Sequence, residues 1–206
     1  MTKNILCFGD SNTWGLNPVT GKRFDENNRW TSLLNKNLGC GFNVIEAGQP
    51  NRTLVHNPPF DGVLSGVSYL KPYLDKHELD FIIIALGTND LKKRFNLTPS
   101  LIADGLNDLI SQIKGFYNLN NYPQIVILAP AYVKFLGLYK HIYEGAECKN
   151  SSMSIHFERV ALDNGVLFYN LQGVVSVSLI DGVHITSEGH SKVADAVFEM
   201  ILSNTF

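Results

Sequence analysis

A series of short apolar runs punctuates the chain: "NILCF" (4–8), "FNVIEA" (42–47), "DFIIIALG" (80–87), "QIVILAPA" (124–131) and "VLFYNL" (166–171). Their hydrophobicity is continuous rather than alternating, the pattern of strands covered on both faces, as in a parallel sheet between helices. Helical periods fill the gaps. Trp30, Leu33, Leu34 and Leu38 share a stripe that stops at Gly39. "TPSLIADGLNDLISQIKGF" opens with Thr98 as a cap and Pro99 at the first helical position, after which Leu101, Ile102, Leu106, Leu109, Ile110 and Ile113 recur at three-and-four spacing. Further helices are predicted over about 151–164 and 187–202, the latter with Val193, Val197 and Ile201 on one side. Strand and helix alternate throughout, which predicts an α/β sheet with right-handed crossovers. Segments 48–62 and 132–150 are long for connections in such a fold, and long loops are commonly functional or mobile.

Composition narrows the class. The 206 residues, 45% hydrophobic and 17% charged, suit one domain over 1–206 with a substantial core. A net charge of −2 with scattered basic residues gives no reason to expect nucleic acid or an anionic membrane as partner. The first apolar run is too short for a signal-peptide core, and no later run reaches the roughly 18 residues of a membrane span, so a cytoplasmic protein is expected. Cys7, Cys40 and Cys148 are odd in number and lack CxxC spacing, which points to reduced thiols rather than a disulfide framework or a zinc site.

The chemistry gathers where the strands should end. In open α/β sheets, ligands bind outside the carboxyl ends of the strands. Gly9-Asp10-Ser11 follows the first run, Gly48 to Thr53 the second, and Gly87-Thr88-Asn89-Asp90 the third; "DGVHIT" places Asp181 and His184 just before the last helix. A serine hydroxyl becomes a nucleophile when a histidine takes its proton, and that histidine works best when a carboxylate holds its other nitrogen. Ser11, His184 and Asp181 supply the three types. The resulting oxyanion needs donors, which Asn89 and backbone amides of Ser11 and the 48–53 loop offer. Taken singly, each cluster also reads as capping or turn chemistry; their joint occurrence at neighbouring strand ends favours catalysis. His56, His77, His141, His156 and His190 have no carboxylate at a spacing that competes with Asp181 and His184, and nothing in the sequence calls for a metal or cofactor. "CFGDSNTWG" contains neither GxGxxG nor a GK[ST] phosphate loop.

Four blocks, "FGDSNTWG" (8–15), "EAGQPNRT" (46–53), "LGTND" (86–90) and "DGVHIT" (181–186), make the sequence resemble the SGNH hydrolases, the GDSL lipase/esterase family, and within it the small cytoplasmic arylesterase/acyltransferase branch. The resemblance implies a flavodoxin-like three-layer sandwich whose five-stranded parallel sheet has the order 2-1-3-4-5. It further implies Ser11 as nucleophile, His184 as base, Asp181 as its orienting partner, and an oxyanion hole of the Ser11 amide, a second-block amide and the Asn89 side chain. Two departures stand out. Asn12 replaces the leucine of GDSL, and the second-block donor, commonly a glycine, aligns on Asn51, with Gly48 and Arg52 as competing donors. Asn tolerates unusual backbone dihedrals better than most residues.

The expected function is hydrolysis, or transfer to an alcohol, of short acyl groups from a small-molecule ester through an acyl-Ser11 intermediate. A carbohydrate O-acetyl esterase is the alternative within the same chemistry. A non-catalytic flavodoxin-like domain binding a small ligand is the alternative from another class. Trp14 either walls the acyl pocket or packs beneath the first loop, and Arg52 either touches substrate or pairs with Asp90 to hold two loops together. The arylesterase branch forms assemblies, so a homo-oligomer is possible, with residues 132–150 as a contact or a pocket lid.

Overall fold

The computed structural model describes residues 2–55 and 67–205; His56 and the 56–62 part of the long second-block segment lie outside them. Five parallel strands form one sheet: β1 (Lys3–Gly9), β2 (Phe42–Gly48), β3 (Phe81–Ala85), β4 (Gln124–Ala129) and β5 (Leu167–Asn170), in the order β2-β1-β3-β4-β5 expected of a flavodoxin-like sandwich. The continuous apolar runs follow from burial on both faces. Ile5, Cys7, Ile83, Val126 and Leu128 join one core with Trp30, Leu34, Val193, Val197 and Ile201, while Leu6, Phe8, Ile82, Ile84, Ile125 and Ile127 join another. Helices α2 (Trp30–Leu38) and α6 (Ser187–Ser203) therefore cover one face; α3 (Val67–Lys76), α4 (Pro99–Phe116) and α5 (Ala146–Asn164) cover the other.

The cap expected for α4 is present, with Thr98 accepting from the Leu101 N–H at 3.2 Å and Pro99 in the first turn. Ile102, Leu106, Leu109, Ile110 and Ile113 are buried, but Leu101 is 48% exposed and leaves the stripe assigned to it: as the third helical residue it points away from the sheet. Helix α5 begins at Ala146, five residues before the predicted start, and shortens the irregular 132–150 segment accordingly. Helix α3, which the periodicity does not predict, carries Pro72 inside it, a residue that ordinarily counts against a helix interior. Among the described residues, no helix is long and apolar enough to cross a membrane.

The register brings the strand ends together. Gly9 lies beside Gly48 and Ala85, so the first three polar blocks leave the sheet at one rim. Close packing there demands glycine: a Cβ on Gly9 would sit 2.0 Å from Thr13 Oγ1 and one on Gly48 2.1 Å from the Trp14 amide nitrogen.

Candidate active site

Ser11 opens the four-residue helix α1 (Ser11–Trp14), whose N-cap Asp10 accepts the Asn12 N–H at 2.8 Å. Asp10 thus organises the turn, as Asx side chains do locally. Burial raises the Asp10 carboxyl pKa, with hydrogen bonding and nearby cations opposing the rise.

The histidine approaches from the far end of the chain. His184 Nε2 lies 2.8 Å from Ser11 Oγ, across 173 positions, and His184 Nδ1 lies 2.7 Å from Asp181 Oδ2. The other Asp181 oxygen accepts the Val183 and His184 N–H groups at 2.9 and 3.0 Å. Burial by itself would raise the Asp181 carboxyl; the His184 ring and the two amides outweigh it, and the net shift is downward. The carboxylate therefore stays ionised beside the imidazole. Gly182 adopts φ +77° between them, where a Cβ would lie 2.4 Å from the Lys134 carbonyl oxygen. Only glycine suits that combination.

Ser11 and His184 open onto a cavity of about 280 Å³ lined also by Asn51, Asn89, Lys92, Tyr143 and apolar Leu16, Pro50, Tyr139 and Ile142. Segment 132–145 supplies the Tyr139, Ile142 and Tyr143 wall, and the Tyr139 ring meets His184 edge-on with centroids 5.8 Å apart. Asn89 donates from Nδ2 to the Arg52 carbonyl at 3.0 Å and accepts the Tyr143 hydroxyl at 3.2 Å. One Nδ2 hydrogen serves Arg52; the second is available to the cavity.

Of the three second-block candidates, Gly48 is the last residue of β2, packed against the α1 backbone. The Arg52 N–H is turned onto the Gln49 carbonyl at 3.2 Å. Asn51 lines the cavity with φ +68°.

The family model for GDSL-like lipase/acylhydrolase matches residues 5–197. The chain belongs to this family. Among solved structures, the aryl esterase of M. smegmatis is 36% identical with a TM-score of 0.89, over 98% of this chain and 99% of that one. Est24, a carbohydrate acetylesterase from Sinorhizobium meliloti, is 31% identical with a TM-score of 0.90 over the same shares. No curated protein sequence matches.

Within this GDSL-like acylhydrolase, two of the expected substrate contacts fall elsewhere. Trp14 is not part of the cavity lining; Arg23 donates to its carbonyl at 2.7 Å and stacks its guanidinium 5.7 Å from the indole centroid. Arg52 is 2% exposed, donates to the Gly9 and Ala47 carbonyls and to Gln49 Oε1, and lies 4.1 Å from the Phe8 ring centroid. Its role is to gather carbonyls under the loop. It does not pair with Asp90, whose carboxylate instead accepts the Leu54 and Val55 N–H groups at 2.9–3.0 Å.

Sequence reasoning missed Tyr143, Lys92 and the work of Asn12. Asn12 Oδ1 accepts the Ile185 N–H at 2.9 Å and so ties the serine turn to the histidine loop, a contact that the leucine of GDSL cannot make. A polar residue beside Ser11 was the available signal. Among the described residues, no group of three or more His, Cys, Asp or Glu converges as a metal centre requires.

Proposed function

We propose that the chain is a serine esterase acting by two-step acyl transfer on small esters. The observation that carries the reading is the continuous hydrogen-bonded line from Ser11 Oγ through the His184 ring to Asp181, at 2.8 and 2.7 Å, with its serine end in the cavity.

His184 takes the Ser11 proton as Oγ attacks the ester carbonyl. The carbonyl oxygen becomes an oxyanion, received by the N–H groups of Ser11 and Asn51 and by Asn89 Nδ2, and Asp181 stabilises the imidazolium. On collapse, His184 returns the proton to the departing alkoxide and the acyl group remains on Ser11. Water, deprotonated by His184, then attacks the acyl-enzyme and frees the acid and the serine. An alcohol in place of that water gives acyl transfer.

A cavity of about 280 Å³ suits short acyl groups. The likeness to Est24, a carbohydrate acetylesterase, favours acetylated sugars as a second substrate class, since acetate fills little of such a space and leaves room for a polyol.

The test combines p-nitrophenyl esters of increasing chain length, acetylated sugars and a fluorophosphonate probe, applied to the wild type and Ser11→Ala. The wild type should take the probe on Ser11 and turn over acetyl and other short esters fastest, while Ser11→Ala does neither. Full esterase activity in purified Ser11→Ala, or no labelling of the wild type, would leave a ligand-binding domain as the better reading.

A further inference from the structure

Lys92 is a cation drawn into the wall of the cavity. Its residue is 7% exposed, and it lines the same space as Ser11 and His184. Among the described residues its hydrogen-bond acceptor is neutral: Nζ donates to Asn51 Oδ1 at 2.7 Å. The Tyr143 ring lies beneath the ammonium, with the centroid 6.0 Å away. Burying a lysine against an amide and a ring, with no carboxylate in contact among the described residues and Asp10 and Asp90 acting only through space, costs solvation that such partners do not fully restore. Desolvation accordingly lowers its pKa to about 8. A lysine serving only solubility would turn outward, so the position calls for a geometric reason.

The acceptor supplies one. Asn51 is exposed and stands at φ +68°, a left-handed conformation that costs a non-glycine residue energy. In the turn around it, the Gln49 N–H is bonded to the Gly9 carbonyl at 3.0 Å, Pro50 has no N–H, and the Arg52 N–H is bonded to the Gln49 carbonyl at 3.2 Å. Among the described residues, the Asn51 N–H is the one of these four left over for a ligand. Its direction depends on a strained residue at the surface, and the side chain of that residue is held by Lys92.

We propose that Lys92 is a positioning residue: by anchoring the Asn51 side chain it keeps the 49–52 turn left-handed and the Asn51 N–H aimed at the carbonyl oxygen of the ester. This rests on the acyl-transfer reading above. The observation behind it is an ammonium, buried in the cavity wall, whose acceptor belongs to the one residue of that turn with a spare N–H.

The experiment is a double-mutant cycle with steady-state kinetics on p-nitrophenyl acetate. Lys92→Met should lower kcat about tenfold, less than the hundredfold or more that accompanies outright loss of an oxyanion donor, with KM within about threefold. Lys92→Arg, which still donates to Asn51, should recover part of the loss. In an Asn51→Gly background, already slower, Lys92→Met should add no more than about twofold, because the side chain it acts through is gone. A loss that falls on KM, or the same loss in both backgrounds, would mean that Lys92 meets the substrate itself and would overturn the proposal; so would unchanged kcat in Lys92→Met.

If Lys92→Met does not fold, Asn51→Asp and Asn51→Ala reach the same decision from the exposed side. Asp keeps the acceptor and should hold activity within about threefold, and Ala should lose it; equal activities refute the anchor. Fluorophosphonate labelling of the wild type separates the two readings. Without labelling the acyl-transfer reading itself falls, whereas labelling with undiminished Lys92→Met turnover removes only the role given to Lys92.

Discussion

The two loops that flank Ser11 are held in opposite ways. The 181–185 turn is braced mostly from nearby: Asp181 accepts the N–H groups two and three residues on and also the His184 ring, and Ser178 bonds Gly182 and His184 through its backbone. From farther away, Asn12 bonds the Ile185 N–H and the Val183 carbonyl, while Lys134 donates to the Gly182 carbonyl. The 48–55 loop is braced from afar. Arg52 grips the ends of β1 and β2, Asp90 receives Leu54 and Val55, Asn89 reaches the Arg52 carbonyl, and Lys92 reaches Asn51. A mostly local brace makes the His184 loop a compact unit whose bonds centre on Asp181 and its near neighbours. Remote bracing makes the second-block loop depend on the third block and on the sheet.

The comparison breaks most visibly at Asp181. Asp181→Asn keeps the shape but removes the charge that orients and stabilises the imidazole, and kcat on p-nitrophenyl acetate should fall about 10⁴-fold, with little change in thermal midpoint. A loss below tenfold would mean that His184 is oriented by something else.

On the other side the larger cost should be to stability. Arg52→Met keeps the bulk over Phe8 but removes the guanidinium donor to the Gly9 and Ala47 carbonyls, Gly9 retaining the Gln49 N–H, at about 3 kcal/mol, or a drop of about 6–12 °C in Tm for a chain of this length. Calorimetry checks it. An unchanged Tm would remove the contrast between the two loops.

Acid should act on the two sides with opposite signs. His190, at the start of α6, is buried with Nδ1 accepting the Trp30 N–H at 3.3 Å, and burial lowers its pKa from 6.5 to about 3. The unfolded chain therefore takes up this proton first, and the stability His190 contributes above pH 6.5 is lost as the pH falls toward 3. Asp90 is raised by burial from 3.8 to about 6. Its contribution is full below pH 3.8 and is lost as the pH rises through 6. In Tm profiles from pH 7 to 4, His190→Gln should flatten the acid-side decline of the wild type and Asp90→Asn should steepen it. The same slope in all three proteins would contradict both shifts.

The smallest effect is expected where the Asn12 side chain ties the first block to the fourth. Asn12→Leu, which restores the residue of GDSL, leaves the Ile185 N–H unpaired at about 1 kcal/mol. Tm should fall by about 3 °C, and kcat only severalfold. A hundredfold loss would place Asn12 among the groups that act in the reaction.

The sheet could be read from the chain because strands buried on both faces require unbroken apolar runs, and α4 because its cap and stripe repeat over 18 residues. The turn around His184 was legible for a related reason: an Asp-Gly-Val-His stretch bonds within itself, so neighbouring letters describe it. Helix α3 was not, since Pro72 masks its period.

Local composition therefore decided which segments fold as strands and helices and which polar blocks stand at their ends. Tertiary structure alone decided that Arg52 gathers carbonyls and does not meet Asp90, that Trp14 stacks on Arg23 outside the cavity, and that Lys92 and Tyr143 enter it. The physical reason is range. A hydrogen bond or stack between residues tens of positions apart depends on where two backbones end in space, and a lone side chain carries no periodic trace of that meeting.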